Sequence, residues 1–280
     1  MSCYLAAWAI ERDAGQIARD HPALWREVRR FNLPVKLALA AAQRVLGALA
    51  DPRRARLISL APCRPGSPEL RAASHDADAS LAHGAGRDVR VNPIHALHAI
   101  DNLALSLLSL RLENREPCAC LGGAAGQAWL ALEQAQGELA AGSAAEVLVL
   151  GGDQGEASWR GEPADPEIGG VALVLTPRPG RVRLVAIESP GSAGARSNAK
   201  HCGGSIESPG SAGARSNAKR CGGSIESPGS AGGGPRPHAA RGLVRWLDAL
   251  AAAPAGRMAY RVPAEDGDGV DELTVIAELA

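Results

Sequence analysis

The sequence predicts a layered α/β domain. Short leucine- and valine-rich runs alternate along the chain with stretches of helical period. Hydrophobic residues make up 46% of the 280, enough to pack a core. Low complexity is confined to one segment, residues 187–234.

In order, residues 3–10 read as a first strand: the run is apolar, short, without a basic lead, and passes straight into Glu11 and Arg12, so it does not have the form of a signal peptide. Residues 34–50 place Val35, Leu37, Leu39, Val45, Leu46 and Leu49 on an apolar helical stripe. Residues 56–61 are a short buried strand. Pro93 opens a helix through Leu112, with Ile94, Leu97, Ile100, Leu103, Leu107 and Leu108 apolar. Residues 118–123 form a small-residue strand, 124–141 a nearly all-apolar helix, and 146–150 a buried strand that ends at Gly151-Gly152. A strand pair follows at 170–176 and 182–187. Residues 239–253 are an amphipathic helix, and 258–262 and 272–278 are strand-like, joined by an acidic turn.

From Ile187 the chain reads IESPGSAGARSNAKHCGGS, repeats from Ile206 with Arg220 in place of His201, and starts a third copy at Ile225 that dissolves into glycine. One aliphatic residue per copy cannot supply the face that stacked repeats share, so the segment is expected to be a disordered insertion. Three regions are therefore expected: an α/β domain over 1–186, the repeat over 187–234, and a helix and strand pair over 235–280 packing on the same domain.

Thirty Lys+Arg balance thirty Asp+Glu, so the composition offers no basic surface for nucleic acid or an anionic membrane. No run approaches the length of a membrane span. Six cysteines form no C-x-x-C, which specifies neither a zinc site nor a disulfide framework and points to a reducing cytoplasm. His95, His98 and Asp101 drift around their helix and read as a polar edge rather than metal ligands. Gly122-Gly123 and Gly151-Gly152 lack the phosphate-loop patterns and read as close packing at strand ends. The acidic residues Asp266, Asp268 and Asp271 lack a calcium loop's closing Glu and read as a hairpin turn. No metal and no cofactor is expected.

Residues 92–153 hold an ordered set of landmarks: a helix opened by Pro93 and carrying Asn102, the pair Glu116-Pro117, a small-residue strand, a helix closed by Gly142, and a strand closing in Gly-Gly. This arrangement resembles the N-terminal half of the β-ketoacyl synthases of the thiolase fold, specifically their truncated, chain-length-factor-like members. The resemblance implies a thiolase-like half-fold, a mixed sheet with a buried helix. It also places the family's nucleophilic Cys eight residues after the Pro, on an elbow where a helix N-terminus activates the thiolate. That position here is Ala125, and counting back from Gly142 reaches the same residue. Cys118 and Cys120 lie on the preceding strand and read as small buried hydrophobes. The family's downstream His pair and Lys have no counterpart outside the repeat except His238.

The resemblance thus implies a non-catalytic subunit that pairs with an active ketosynthase, as a hetero- or homodimer, serves an acyl carrier protein, and shapes the acyl tunnel in fatty-acid, polyketide or aryl-polyene-type biosynthesis. Ala125, Gly126, Gln127 and Trp129 would line the tunnel, although Trp129 suits the core equally well. Cys118, Ala119, Cys120, Leu121, Gly122 and Gly123 would pair across the subunit interface. The alternatives are a relative that only decarboxylates malonyl-carrier thioesters, with Gln127 two residues past the expected site, and a carrier-protein-binding scaffold.

Overall fold

The computed structural model describes residues 2–61, 100, 102–122, 126–153, 169–188, 240–263 and 273–280. The start of the helix opened by Pro93, residues 95, 98 and 101, Gly123, Ala125, the repeat beyond Glu188 and the acidic turn lie outside them.

Among the described residues, eight strands form one mixed sheet: β1 (Cys3–Glu11), β2 (Arg56–Leu60), β3 (Cys118–Leu121), β4 (Val147–Gly152), β5 (Gly170–Thr176), β6 (Val182–Glu188), β7 (Gly256–Arg261) and β8 (Thr274–Leu279). Their spatial order is β3-β2-β4-β5-β1-β6-β8-β7. β2 pairs in parallel with both β3 and β4, and every other pairing is antiparallel. The run VLVLGG of β4 is buried along its whole length, because helices cover both faces of the sheet's centre.

One covering layer holds α1 (Ala14–Asp20), α2 (Pro22–Val28), α3 (Leu33–Val45) and α4 (Leu103–Leu112). α3 is the centre of that layer. It starts where Asn32 accepts the N–H of Val35 at 3.3 Å, with Pro34 in the first turn. Val35, Leu37, Ala38, Ala41 and Val45 then pack with Leu148, Leu150, Ala172 and Val174 of the sheet. The close approach requires glycine: a Cβ on Gly152 would stand 2.1 Å from the Pro34 carbonyl oxygen, and one on Gly170 would stand 2.2 Å from the Leu37 carbonyl.

The opposite layer holds α5 (Gln127–Ala141) and α6 (Arg241–Ala252). Ala128, Trp129, Ala131, Leu132, Ala135 and Leu139 of α5 are buried, while Leu130 is 48% exposed. α5 is therefore buried on one face only, and its own sheet covers the apolar stripe. Its close follows the expected glycine, with Gly142 left-handed at φ 69°. α6 buries Leu243, Val244, Trp246, Leu247 and Leu250 on the same face of the sheet and turns Asp248 outward to Arg12 at 2.5 Å. Trp129 and Trp246 meet edge to face across the two helices, with centroids 6.5 Å apart at 79°.

Two of the elements fall where the sequence pattern gave no helix. α1 and α2 have seven residues each, too short for a periodic stripe to stand out. Their signals are local: Asp13 accepts the N–H of Gly15, and Pro22 opens α2. Arg44 of α3 joins them to the sheet by bonding both the buried Glu11 of β1 and Asp20 of α1. The same guanidinium, helped by Gln16, holds the Asp20 carboxyl below its usual range.

At the far end, β6 continues through Ile187 and Glu188, so the first two residues of the first repeat copy belong to the sheet. Ile187 is a core residue there.

Candidate functional site

The parallel strands β2, β3 and β4 end together, at Leu60, Leu121 and Gly151-Gly152, and the crevice beyond the carboxyl ends of parallel strands is where α/β sheets hold ligands. A cavity of about 260 Å³ opens there, lined by Ala61, Asn102, Cys120, Leu121 and Gly122. Asn102 stands just ahead of the first residue of α4, and its side chain caps no backbone group. The structure thus brings together three landmarks separated in sequence: Asn102, the end of β3, and the end of β2.

What fixes β3 is the stretch between α4 and the strand. α4 ends at Glu113 in a left-handed conformation, φ 51°. Asn114 then donates its side-chain amide to the carbonyls of Pro52 and Ala55, at 3.1 and 2.8 Å. The Arg115 N–H reaches the Arg53 carbonyl, and Arg56 donates to the Pro117 carbonyl at 2.8 Å. These bonds tie the Glu116-Pro117 lead-in to the start of β2, and the register Leu57 to Cys118 follows. Arg56 also anchors the far end of α5 through Glu138 at 2.7 Å.

α5 is the next described element after β3. Gly126 and Gln127 are half-buried at its start, and Gly126 offers its carbonyl to the N–H groups of Trp129 and Leu130. Trp129 is 1% exposed and belongs to the core. Ala125, the elbow position, lies outside the described residues, as does Gly123. Lys36 is held over the Trp25 ring at 5.4 Å, where burial lowers its pKa. It does not line the cavity. Among the described residues, no three His, Cys, Asp or Glu side chains gather to hold a metal ion, and no helix is long and apolar enough to cross a membrane.

The two strand cysteines part from the expectation in one respect. They share a face, as residues i and i+2 of a strand must, but Cys118 is exposed, with its thiol 4.0 Å from the Ser109 hydroxyl and 3.7 Å from Asn114. The reason is position: among the described residues β3 is the last strand of the sheet, and Cys118 is its first residue. Cys120 is partly covered and Cys3 fully buried.

Asp153 was not singled out by any sequence signal. It follows the Gly-Gly of β4, is 1% exposed, and accepts the N–H of Ala240 at the start of α6. This contact brings the C-terminal helix to the cavity end of the sheet. A buried carboxylate directly after a strand-ending Gly-Gly is the feature that could have found it.

The two sheet edges differ in kind. Among the described residues β3 pairs only with β2 and β7 only with β8. β7 carries Arg257 and Arg261, the charged guard typical of a solvated edge, whereas Cys118–Leu121 bears no charge. Leu110 of α4, 77% exposed, and Leu130 of α5 stand on the two layers that flank the sheet.

No family model matches the sequence, and no curated protein matches it significantly. Solved structures do. The ketosynthase ApeO in complex with its chain length factor ApeC, from Xenorhabdus doucetiae, aligns at a TM-score of 0.53 and 12% identity over 99% of both chains. The ishigamide ketosynthase/chain length factor aligns at 0.47 and 13%, over 68% of this chain and 67% of that one. PksG, an HMG-CoA synthase from Bacillus subtilis, aligns at 0.39 and 15%, over 66% of this chain and 44% of that one. The mixed eight-stranded sheet with its helical layers thus has the thiolase-like fold of the aligned ketosynthase–chain-length-factor structure.

Proposed function

We propose that this chain is a non-catalytic ketosynthase-like subunit of the chain-length-factor kind, which pairs with an active ketosynthase through β3 and shapes the path of the growing acyl chain. The observation that carries the reading is the edge of β3, uncharged and, among the described residues, uncovered, on a sheet whose other edge bears two arginines. Backbone pairing along Cys118–Leu121 would extend the sheet into the partner, and the small side chains of Cys118, Ala119 and Cys120, with Gly122 and Gly123 after them, would admit another backbone closely.

The chemistry belongs to the partner in this reading. A methyl group at Ala125 cannot attack a thioester, and the elbow that would activate a thiolate has none to activate. What remains for this chain is shape. Gly126 and Gln127 begin the helix beside the elbow, and Trp129, locked against Trp246, would form a closed wall one turn further in. The acyl group arrives on an acyl carrier protein that the partner's active site serves. The alternative of decarboxylation alone would need an activating His or Lys, and neither is among the described residues that line the cavity.

Reconstitution tests the reading. The chain mixed with a ketosynthase that carries its Cys and His pair, malonyl-carrier and a starter thioester should give elongated products whose length distribution shifts when Gln127 is replaced by Trp. The chain without the ketosynthase should give neither elongation nor release of carbon dioxide. Decarboxylation by the chain alone overturns the proposal in favour of the decarboxylase.

A further inference from the structure

We draw no further inference here: the strongest candidate, the cleft of about 890 Å³ between the C-terminal turn of α5 and the lead-in to β2, carries nothing, because its carboxylates Glu138 and Glu146 are already held by its own Arg56 and Arg178 and nothing in the structure shows what would occupy it.

Discussion

The Asp153 carboxylate accepts the backbone N–H of Ala240 at 2.5 Å, across 87 residues of chain. The contact satisfies a donor at the start of α6 and ties that helix to the end of β4. Asp153→Ala leaves that donor buried without its partner and is expected to cost about 2 kcal/mol, a fall in Tm of roughly 4–8 °C. Asp153→Asn keeps an acceptor and should lose less. Differential scanning calorimetry separates the two, and an alanine variant as stable as the parent would remove the carboxylate from this role.

Gly152 and Gly122 make a matched pair. An added Cβ at Gly152 meets the Pro34 backbone, whereas at Gly122 it meets nothing within 4 Å. Gly152→Ala must push α3 off the sheet and should cost about 3 kcal/mol or more; Gly122→Ala should be close to neutral. Urea denaturation of both variants checks this, and equal midpoints would mean that α3 and β4 do not pack as described.

Thiol reactivity should follow the sheet. Of the three described cysteines, Cys118 is exposed and should take up a maleimide first, with Cys120 slower. Burial pushes the Cys3 thiol up to about 12, so it should stay unlabelled in the folded protein. Because the folded state holds that proton more tightly than the unfolded chain, the contribution to stability is complete below the unfolded value near 9 and is lost as pH rises toward 12. Peptide mapping after timed labelling reads the order, and Cys3 modified together with Cys118 would contradict the burial.

Much of this was legible in the sequence because the signals are local and strong. The buried runs at β2, β4 and β5 read as strands, and the Val/Leu stripe of α3 and the Gly142 close of α5 read as helix features. Sequence periodicity cannot give lateral order, so the terminal place of β3 and the exposure of Cys118 came only with the sheet. The bond from Asp153 to Ala240 joins two segments with no pattern in common. At the elbow only the family resemblance speaks: its spacing from Pro117 and from Gly142 implies Ala125 at the nucleophile position, and that residue lies outside the described part of the structure.

That assignment makes a chemical prediction. Incubated with acyl-carrier thioesters or with a ketosynthase-directed epoxide such as cerulenin, the chain should carry no adduct on the peptide spanning residues 123–129. Tandem mass spectrometry locates any label. Acyl groups found on Cys120, which lines the cavity at the end of β3, would mean that the nucleophile had been assigned to the wrong residue.

The central claim is that β3 is an edge built to be covered by a ketosynthase. Native mass spectrometry of the chain co-expressed with an active ketosynthase that carries its Cys and His pair measures this directly, for the parent and for a variant carrying Cys118→Arg and Leu110→Glu. Cys118→Arg gives β3 the kind of charge that guards β7, and Leu110→Glu places a charge on the outer face of the flanking α4; both positions are exposed and outside the core. The account predicts a one-to-one complex with the parent, and for the variant a folded chain of unchanged Tm that fails to bind. A parent chain that remains monomeric beside the ketosynthase, or a variant that binds as well as the parent, would contradict it.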